Sequence, residues 1–331
     1  MTAASAQLNA DDSARRPAQL VLGTMTFGAQ VDQSTAAEMI ALAADAGLTM
    51  VDTANVYADG ASEEIVGRLL AAHPGRFTLA TKVGMPSRDT PAGAAPLSAA
   101  AVRACVEASL RRLGTDRIDL LYLHQPDRAT PVEQTLSAVA ALVAEGKVGE
   151  LGVSNYAAWQ IADLHRVAAA GGLPAPTVSQ PLYNLVSRRI EEEYLEFSRA
   201  YGLTNVVYNP LAGGLLTGKH DFARPAEDGR FGTGSAMGGM YRDRYWSPRL
   251  FAAVEELAAA ASAHGLSLVE LAMRWLVGRD GVGGVILGSS RTEHLRANLA
   301  AAAGGPLPDE LSQACDRVWQ DLRGPVPSYN R

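Results

Sequence analysis

Residues 118–154 read IDLLYLHQPDRATPVEQTLSAVAALVAEGKVGELGVS, and this stretch decides the fold. Its opening, 118–124, is a short apolar run of strand type. A helix is expected from about 131 to 145, ended by Gly146, and a second strand follows at once over 148–154. A strand, a helix and a strand in this order form a βαβ unit, whose two strands run parallel because the helix carries the chain back. The same rhythm extends in both directions. Upstream, strands are expected at 19–23, 48–53 and 77–82, with helices at about 34–46, 62–72 and 98–113. Downstream come a helix after Tyr156, a strand at 177–180, a helix at about 188–201, a strand at 203–208, a strand at 284–288 and a helix after Thr292.

About eight such units, evenly spread and uncut by any Pro/Gly/Ser-rich linker, favour closure into an α/β (β/α)8 TIM barrel over an open doubly wound sheet. One interval breaks the pattern. From about 212 to 248 the chain is rich in Gly, Arg and Tyr without helical period, and a long loop there, after strand 7, is expected to cover an active site. Two helices follow it before the eighth strand, and a C-terminal helix at about 309–322 closes the chain. Residues 1–17, rich in Ala, Ser and Asp, read as a flexible leader, and 18–331 as one barrel domain.

The composition narrows the function classes. Of 331 residues, 47% are hydrophobic and 19% charged, the balance of a globular chain with a large core. The net charge of −6 comes without long blocks of either sign, which argues against nucleic acid as a partner. The two cysteines, Cys105 and Cys315, stand far apart in helical stretches and read as reduced thiols, neither a disulfide framework nor a zinc site. The other histidines, His73, His165, His220, His264 and His294, show no metal-ligand spacing. No apolar run has the length of a membrane span and no signal-peptide order opens the chain, so a cytoplasmic protein is expected.

In such a barrel the active site forms where the strands end, at their C-terminal face. Polar residues collect there: Asp52 with Tyr57 just beyond it, Lys82, His124, Ser154 with Asn155, Gln180, and Tyr208 with Asn209. Each has a bland account taken singly: Asp52 as a cap, Lys82 as a solvated strand end, His124 as a satisfied core histidine. Three titratable side chains and a tyrosine meeting on one rim make that coincidence poor. The set suits proton transfer to a carbonyl oxygen. A tyrosine of ordinary pKa near 10 is brought down by a neighbouring ammonium such as Lys82, itself paired with Asp52, while His124 polarises the oxygen. None of these side chains delivers a hydride, so a nicotinamide cofactor is the missing part.

The motifs VLGTMTFG (21–28), DTANVY (52–57), TK (81–82), LLYLHQPD (120–127), LGVSNYAAW (151–159), YNPLAGGLLTGK (208–219) and VILGSS (285–290) carry a resemblance. In order and spacing the chain resembles an aldo-keto reductase over nearly its whole length. MYRDRYW (240–246) and the VPSYNR end resemble the aflatoxin-aldehyde and succinic semialdehyde reductase branch. The resemblance implies Asp52, Tyr57, Lys82 and His124 as the catalytic set, with Tyr57 the general acid in reducing aldehydes, and by extension ketones or dialdehydes. It implies bound NADPH, with Gly23, Thr24 and Met25 beside it, Ser154, Asn155 and Gln180 on its carboxamide, and Tyr208 stacked on the nicotinamide, with Asn209 adjoining. Pro210, Leu211, Gly213, Lys219 and Arg230 would line the phosphates, and Gly288, Ser290, His294 and Asn298 the adenosine end. His294 and Ala297 depart from the family's usual adenine contacts. Lys219, Arg230 and Arg291 keep the positive charge that a 2′-phosphate needs.

Tyr57, His124, Trp246 and Arg331 are the expected substrate residues. Arginines among Tyr241, Arg242, Arg244, Tyr245, Trp246 and Arg249, or Arg331 at the end, suit an acidic group on a small aldehyde. The branch also implies a homodimer. Two other readings compete. The first is a nucleotide triphosphatase, since residues 213–220, GGLLTGKH, approach the phosphate-binding G-x-x-x-x-G-K-[ST] pattern, but His220 replaces the hydroxyl that ligates Mg²⁺. A cofactor-holding regulatory protein on the same fold is the second, since potassium-channel β subunits resemble the family too. The complete proton-donor set favours an enzyme.

Overall fold

A computed structural model of the chain describes residues 18–224, 226–227, 229–232 and 238–327, so the expected leader and Arg331 lie outside the described residues. Strands β1 (Gln19–Gly23), β2 (Met50–Asp52), β3 (Thr78–Val83), β4 (Ile118–Leu123), β5 (Val148–Ser154), β6 (Val178–Gln180), β7 (Thr204–Val207) and β8 (Gly284–Gly288) pair side by side in chain order. Every pairing is parallel, and β8 closes on β1 from Gln19↔Gly284 to Gly23↔Gly288. The result is the expected (β/α)8 barrel. Helices α1 (Gln33–Asp45), α2 (Ala61–Leu70), α3 (Ala99–Leu113), α4 (Val132–Ala144), α5 (Ala158–Gly171) and α6 (Tyr194–Ala200) follow successive strands. After β7 come α7 (Gly238–Tyr245), α8 (Pro248–Ala263) and α9 (Leu268–Val277); α10 (Thr292–Ala302) and α11 (Asp309–Arg323) follow β8.

Two cores result from the period-2 alternation of the strands. One face of each strand packs against the helices. The other fills the barrel with Val21, Met50, Ala80, Leu120, Tyr122, Val178, Val206 and Ile286. At the level of Tyr122, β5 contributes no side chain: a Cβ on Gly152 would stand 2.6 Å from the Tyr122 ring. Outside the barrel, Gly67 permits α2 to touch the end of α3, where a Cβ would lie 2.4 Å from the Leu113 carbonyl oxygen.

Two sequence expectations need correction. The helix expected over 188–201 is a 3-10 turn (Arg189–Glu191) followed by α6, with the break at Glu193 (φ −155, ψ −28). The cause lies at Arg188, whose guanidinium donates to Glu191 at 2.9 Å and to Asp316 of α11 at 2.8 Å and so fixes the turn against another element. The interval 212–248 is not without structure either. It holds 3-10 turns at Ala212–Thr217 and Gly229–Phe231, and α7, whose buried stripe is Tyr241 and Tyr245. Two residues four apart are too few to show a helical period.

Candidate active site

β2, β3 and β4 lie next to one another, so their ends bring Asp52, Lys82 and His124 together, while the turn Tyr57–Gly60 after β2 carries Tyr57 over them. Asp52 is 3% exposed, Lys82 fully buried and His124 9% exposed; Tyr57 is half-buried. The Lys82 ammonium donates to Asp52 Oδ1 and, at 2.7 Å, to the Thr53 carbonyl. Gln180 Nε2 takes the other Asp52 oxygen at 2.9 Å. Lys82 Nζ stands 5.0 Å from the centre of the Tyr57 ring, and the His124 ring meets that ring edge-on at 5.9 Å. The four expected catalytic side chains therefore form one cluster.

Its charge states follow from burial and partners. Burial, the largest influence, pulls the Lys82 pKa down, but Asp52 and Tyr57 outweigh it and the ammonium sits above its ordinary value. Burial and then the Lys82 charge hold the His124 imidazole down at about 3, so it is neutral at pH 7. Tyr57 corrects one expectation. Lys82 does lower its pKa, but burial raises it by more, with Asp52 and Tyr241 adding, so the phenol lies above 10 in the free protein. The acid is therefore held protonated. A charged ammonium lies beside it, the one neighbour that favours the phenolate form.

The neighbouring strand ends bond to one another. Ser154 Oγ donates to the Gln180 carbonyl at 3.0 Å. Asn155, held in the left-handed region (φ 61), donates to the His124 carbonyl at 2.9 Å and accepts the Tyr208 hydroxyl at 2.7 Å. Thr24 turns inward, fully buried, with its hydroxyl on the Asp52 carbonyl at 3.1 Å, so its side chain holds β2. Asn209 likewise ties Tyr245 (2.8 Å) to the Gly213 amide (2.7 Å) and shapes the loop. Gly23, Met25, Pro210 and Leu211 adjoin these groups in the chain at the ends of β1 and β7.

Farther out, the loop after β7 lies across the mouth. Arg230 packs on the Tyr241 ring, and a Cβ on Gly288 would stand 3.1 Å from its guanidinium. Gly213 is left-handed (φ 71) and lies against Tyr241. The buried Ser289 hydroxyl, next to Gly288, has no hydrogen-bond partner among the described residues. Neither Lys219 nor Arg230 pairs with a carboxylate there. Glycines that admit close approach, an unsatisfied hydroxyl and unpaired cations fit an extended anionic cofactor. Ser290 and His294 flank the same end, His294 on the exposed face of α10 and Asn298 on its buried face, 7% exposed.

The expected substrate residues separate. Tyr57 and His124 face each other, but Trp246 packs on Phe231 of the long loop (5.2 Å) and Phe251 of α8 (4.9 Å). A cavity of about 630 Å³ opens beside Tyr208 and Asn155, lined also by Arg244, Arg249, Ile190 and Trp319. Arg249 spends its guanidinium on the Asp321 carbonyl at 2.6 Å. Arg244 makes no carboxylate pair among the described residues and faces Tyr208, whose phenol burial pushes up to about 12 while Arg244 pulls it down. Two residues escaped the sequence reading. Tyr122, its ring 5.8 Å from Lys82 Nζ, floors the site and was signalled by its inward alternation with Leu120. The other is Arg112 of α3, whose Nε donates to the buried Glu63 at 2.8 Å. No helix among the described residues is long and apolar enough to cross a membrane, and no His/Cys/Asp/Glu cluster there could hold a metal.

A closed parallel barrel carries at its mouth a protonated tyrosine, a neutral imidazole and a buried ammonium–carboxylate pair. The chain belongs to the aldo/keto reductase family, whose model matches residues 19–320, and is an oxidoreductase. It is 38% identical to aflatoxin B1 aldehyde reductase member 2 of Rattus norvegicus, over 94% of this chain and 87% of that one. It is 39% identical to aldo-keto reductase family 7 member A3 of Homo sapiens, over 96% and 98%. A probable voltage-gated potassium channel subunit beta of Oryza sativa subsp. japonica is 33% identical over 97% and 98%.

Proposed function

We propose that this chain reduces aldehydes to alcohols with NADPH, with Tyr57 as general acid. One observation carries the reading: a protonated Tyr57 with the Lys82 ammonium 5.0 Å from its ring and a neutral His124 beside it. NADPH, when bound, supplies the hydride. His124, as a neutral donor, orients the carbonyl oxygen, and Tyr57 gives that oxygen its proton. The charge this leaves on the phenol faces Lys82, which Asp52 and the Thr53 carbonyl hold in position. Ser154, Asn155 and Gln180 would hold the carboxamide, Tyr208 the nicotinamide face, Lys219, Arg230 and Arg291 the phosphates, and Gly288, Ser290, His294 and Asn298 the adenosine. The positive charge of Lys219, Arg230 and Arg291 would suit the 2′-phosphate and so NADPH over NADH, and equal catalytic efficiency with both would overturn that preference.

The cavity beside Tyr208 supports a substrate bearing an acidic group, with Arg244 as the arginine that receives it. The named activities of the mammalian relatives accord with an aldehyde substrate. The test is NADPH oxidation with a panel of aldehydes, dialdehydes and ketones, using Tyr57→Phe as control. Turnover that vanishes in Tyr57→Phe while NADPH still binds supports the mechanism, and persistent turnover overturns it. NADPH binding without turnover of any carbonyl would favour a cofactor-holding role, the reading that the rice relative's name suggests.

A further inference from the structure

The turn that presents Tyr57 is conformationally costly. The next three residues all lie in the left-handed region: Ala58 (φ 48), Asp59 (φ 53) and Gly60 (φ 91). Two of them carry side chains, which crowd the backbone there relative to a right-handed or extended conformation. Such a turn persists only where its surroundings hold it. Arg112, in the last turn of α3, packs against it. Its Cδ and Nε lie 2.9 Å from where a Cβ on Gly60 would stand, with the Arg88 guanidinium at the same distance.

Arg112 is also the centre of a buried charge network. Its Nε donates to Glu63 Oε2 at 2.8 Å and its Nη1 reaches Asp89 at 2.8 Å; the Glu63 side chain is fully buried. The second Glu63 oxygen accepts the Thr81 hydroxyl at 2.6 Å. Thr81 precedes Lys82 in β3, and Glu63 lies in the first turn of α2, immediately after the Tyr57 turn. One guanidinium thus connects the turn carrying Tyr57, the strand carrying Lys82 and the loop after that strand. A network that only stabilised the fold would be poorly chosen, since a buried ion pair is often no better than apolar packing of the same volume.

We infer that Arg112 and Glu63 are positioning residues that set the separation of Tyr57 from Lys82 and so the acidity of the proton donor. The inference rests on Tyr57 being the general acid. When the tie is cut, the costly turn relaxes, Tyr57 moves off the ammonium, and its phenol becomes harder to ionise. Lys82, Asp52, His124 and Tyr241 are the titratable groups facing it, and of these only Lys82 favours the phenolate.

The test uses Arg112→Met, Arg112→Lys and the double variant Glu63→Gln/Arg112→Met, which removes the fully buried Glu63 charge together with its partner and leaves only Asp89, 16% exposed, without the guanidinium. NMR of 13Cζ-labelled tyrosine, with Tyr57→Phe assigning the signal, reads the Tyr57 ionisation in the free protein. Turnover is followed as kcat and KM against pH. The expected result is a higher-pH Tyr57 ionisation in the Met and double variants and a kcat about tenfold lower, equivalent to about 1.4 kcal/mol, with KM for NADPH changed less than twofold. Arg112→Lys should recover part of both effects. A lowered melting temperature with Tyr57 ionisation and pH profile unchanged would mean a structural role only and would overturn the inference. If Tyr57→Phe itself retained turnover, the general-acid assignment would fail instead, a result the ionisation measurement keeps distinct.

Discussion

His124 makes the stability of the barrel depend on pH in a way that can be worked out. Burial and the Lys82 charge hold its folded pKa at about 3, whereas an unfolded chain takes up the proton near 6.5. Between those values the unfolded state binds more protons than the folded one, so stability falls as pH falls. Between pH 7 and pH 5 the loss from this residue is about 2 kcal/mol at 1.36 kcal/mol per unit, a figure that requires only a folded value below about 4. Urea unfolding at pH 7, 6 and 5, for the natural chain and for His124→Gln, measures it. Other groups shift too, such as Glu145, held at about 2 by hydrogen bonds from Arg103 and Lys147, but they are common to both proteins and cancel in the difference. The natural chain should lose about 2 kcal/mol more than His124→Gln over this range. Parallel slopes would show that His124 titrates normally when folded, and the neutral donor beside Tyr57 would then be wrong.

Arg244→Leu should raise KM about tenfold or more for an aldehyde carrying a carboxylate, the worth of one charged hydrogen bond, and leave an uncharged aromatic aldehyde unaffected. Steady-state kinetics on the two substrates decide it. Lys82→Met should destabilise the fold by about 3–5 kcal/mol, because Asp52 is left buried and unpaired, and Asp52→Asn/Lys82→Met should regain most of that loss in denaturant unfolding without regaining turnover. Gly67→Ala should cost about 1–3 kcal/mol in thermal unfolding, since its new methyl meets the Leu113 backbone, which has no room to give.

The barrel was legible because its signal is local. Strands β1, β5 and β8 have the limits their apolar runs imply, and Asp52, Lys82 and His124 were visible as the polar terminations of such runs. The helix over 188–201 failed because its propensity is overridden by Arg188, whose partner Asp316 is 128 residues away. Arg112 was hidden for the same reason. On α3 it reads as one of three arginines on a helix surface, yet its partner Glu63 lies 49 residues upstream. Trp246 shows the converse: an aromatic next to a substrate-like arginine motif packs instead on Phe231 of its own loop and Phe251 of α8. Pairing at long range is what a single sequence carries least.

Mild global acidity and a site that handles anions are compatible because charge acts over short distances. The net charge is −6, yet among the described residues Lys219 and Arg230 have no carboxylate partner, and screening over a Debye length of about 10 Å limits what distant acidic groups do to them. The Asp52–Lys82 pair shows the same economy in the interior. Its side chains are 4% and 0% exposed, and taking both charges out of water is a cost that an apolar pair would avoid. A barrel that only needed to hold together, or only to hold a ligand at its rim, would gain nothing from a buried ammonium under a tyrosine. Its placement is accounted for when negative charge develops on that tyrosine, and in the proposed reaction this happens only as the proton leaves.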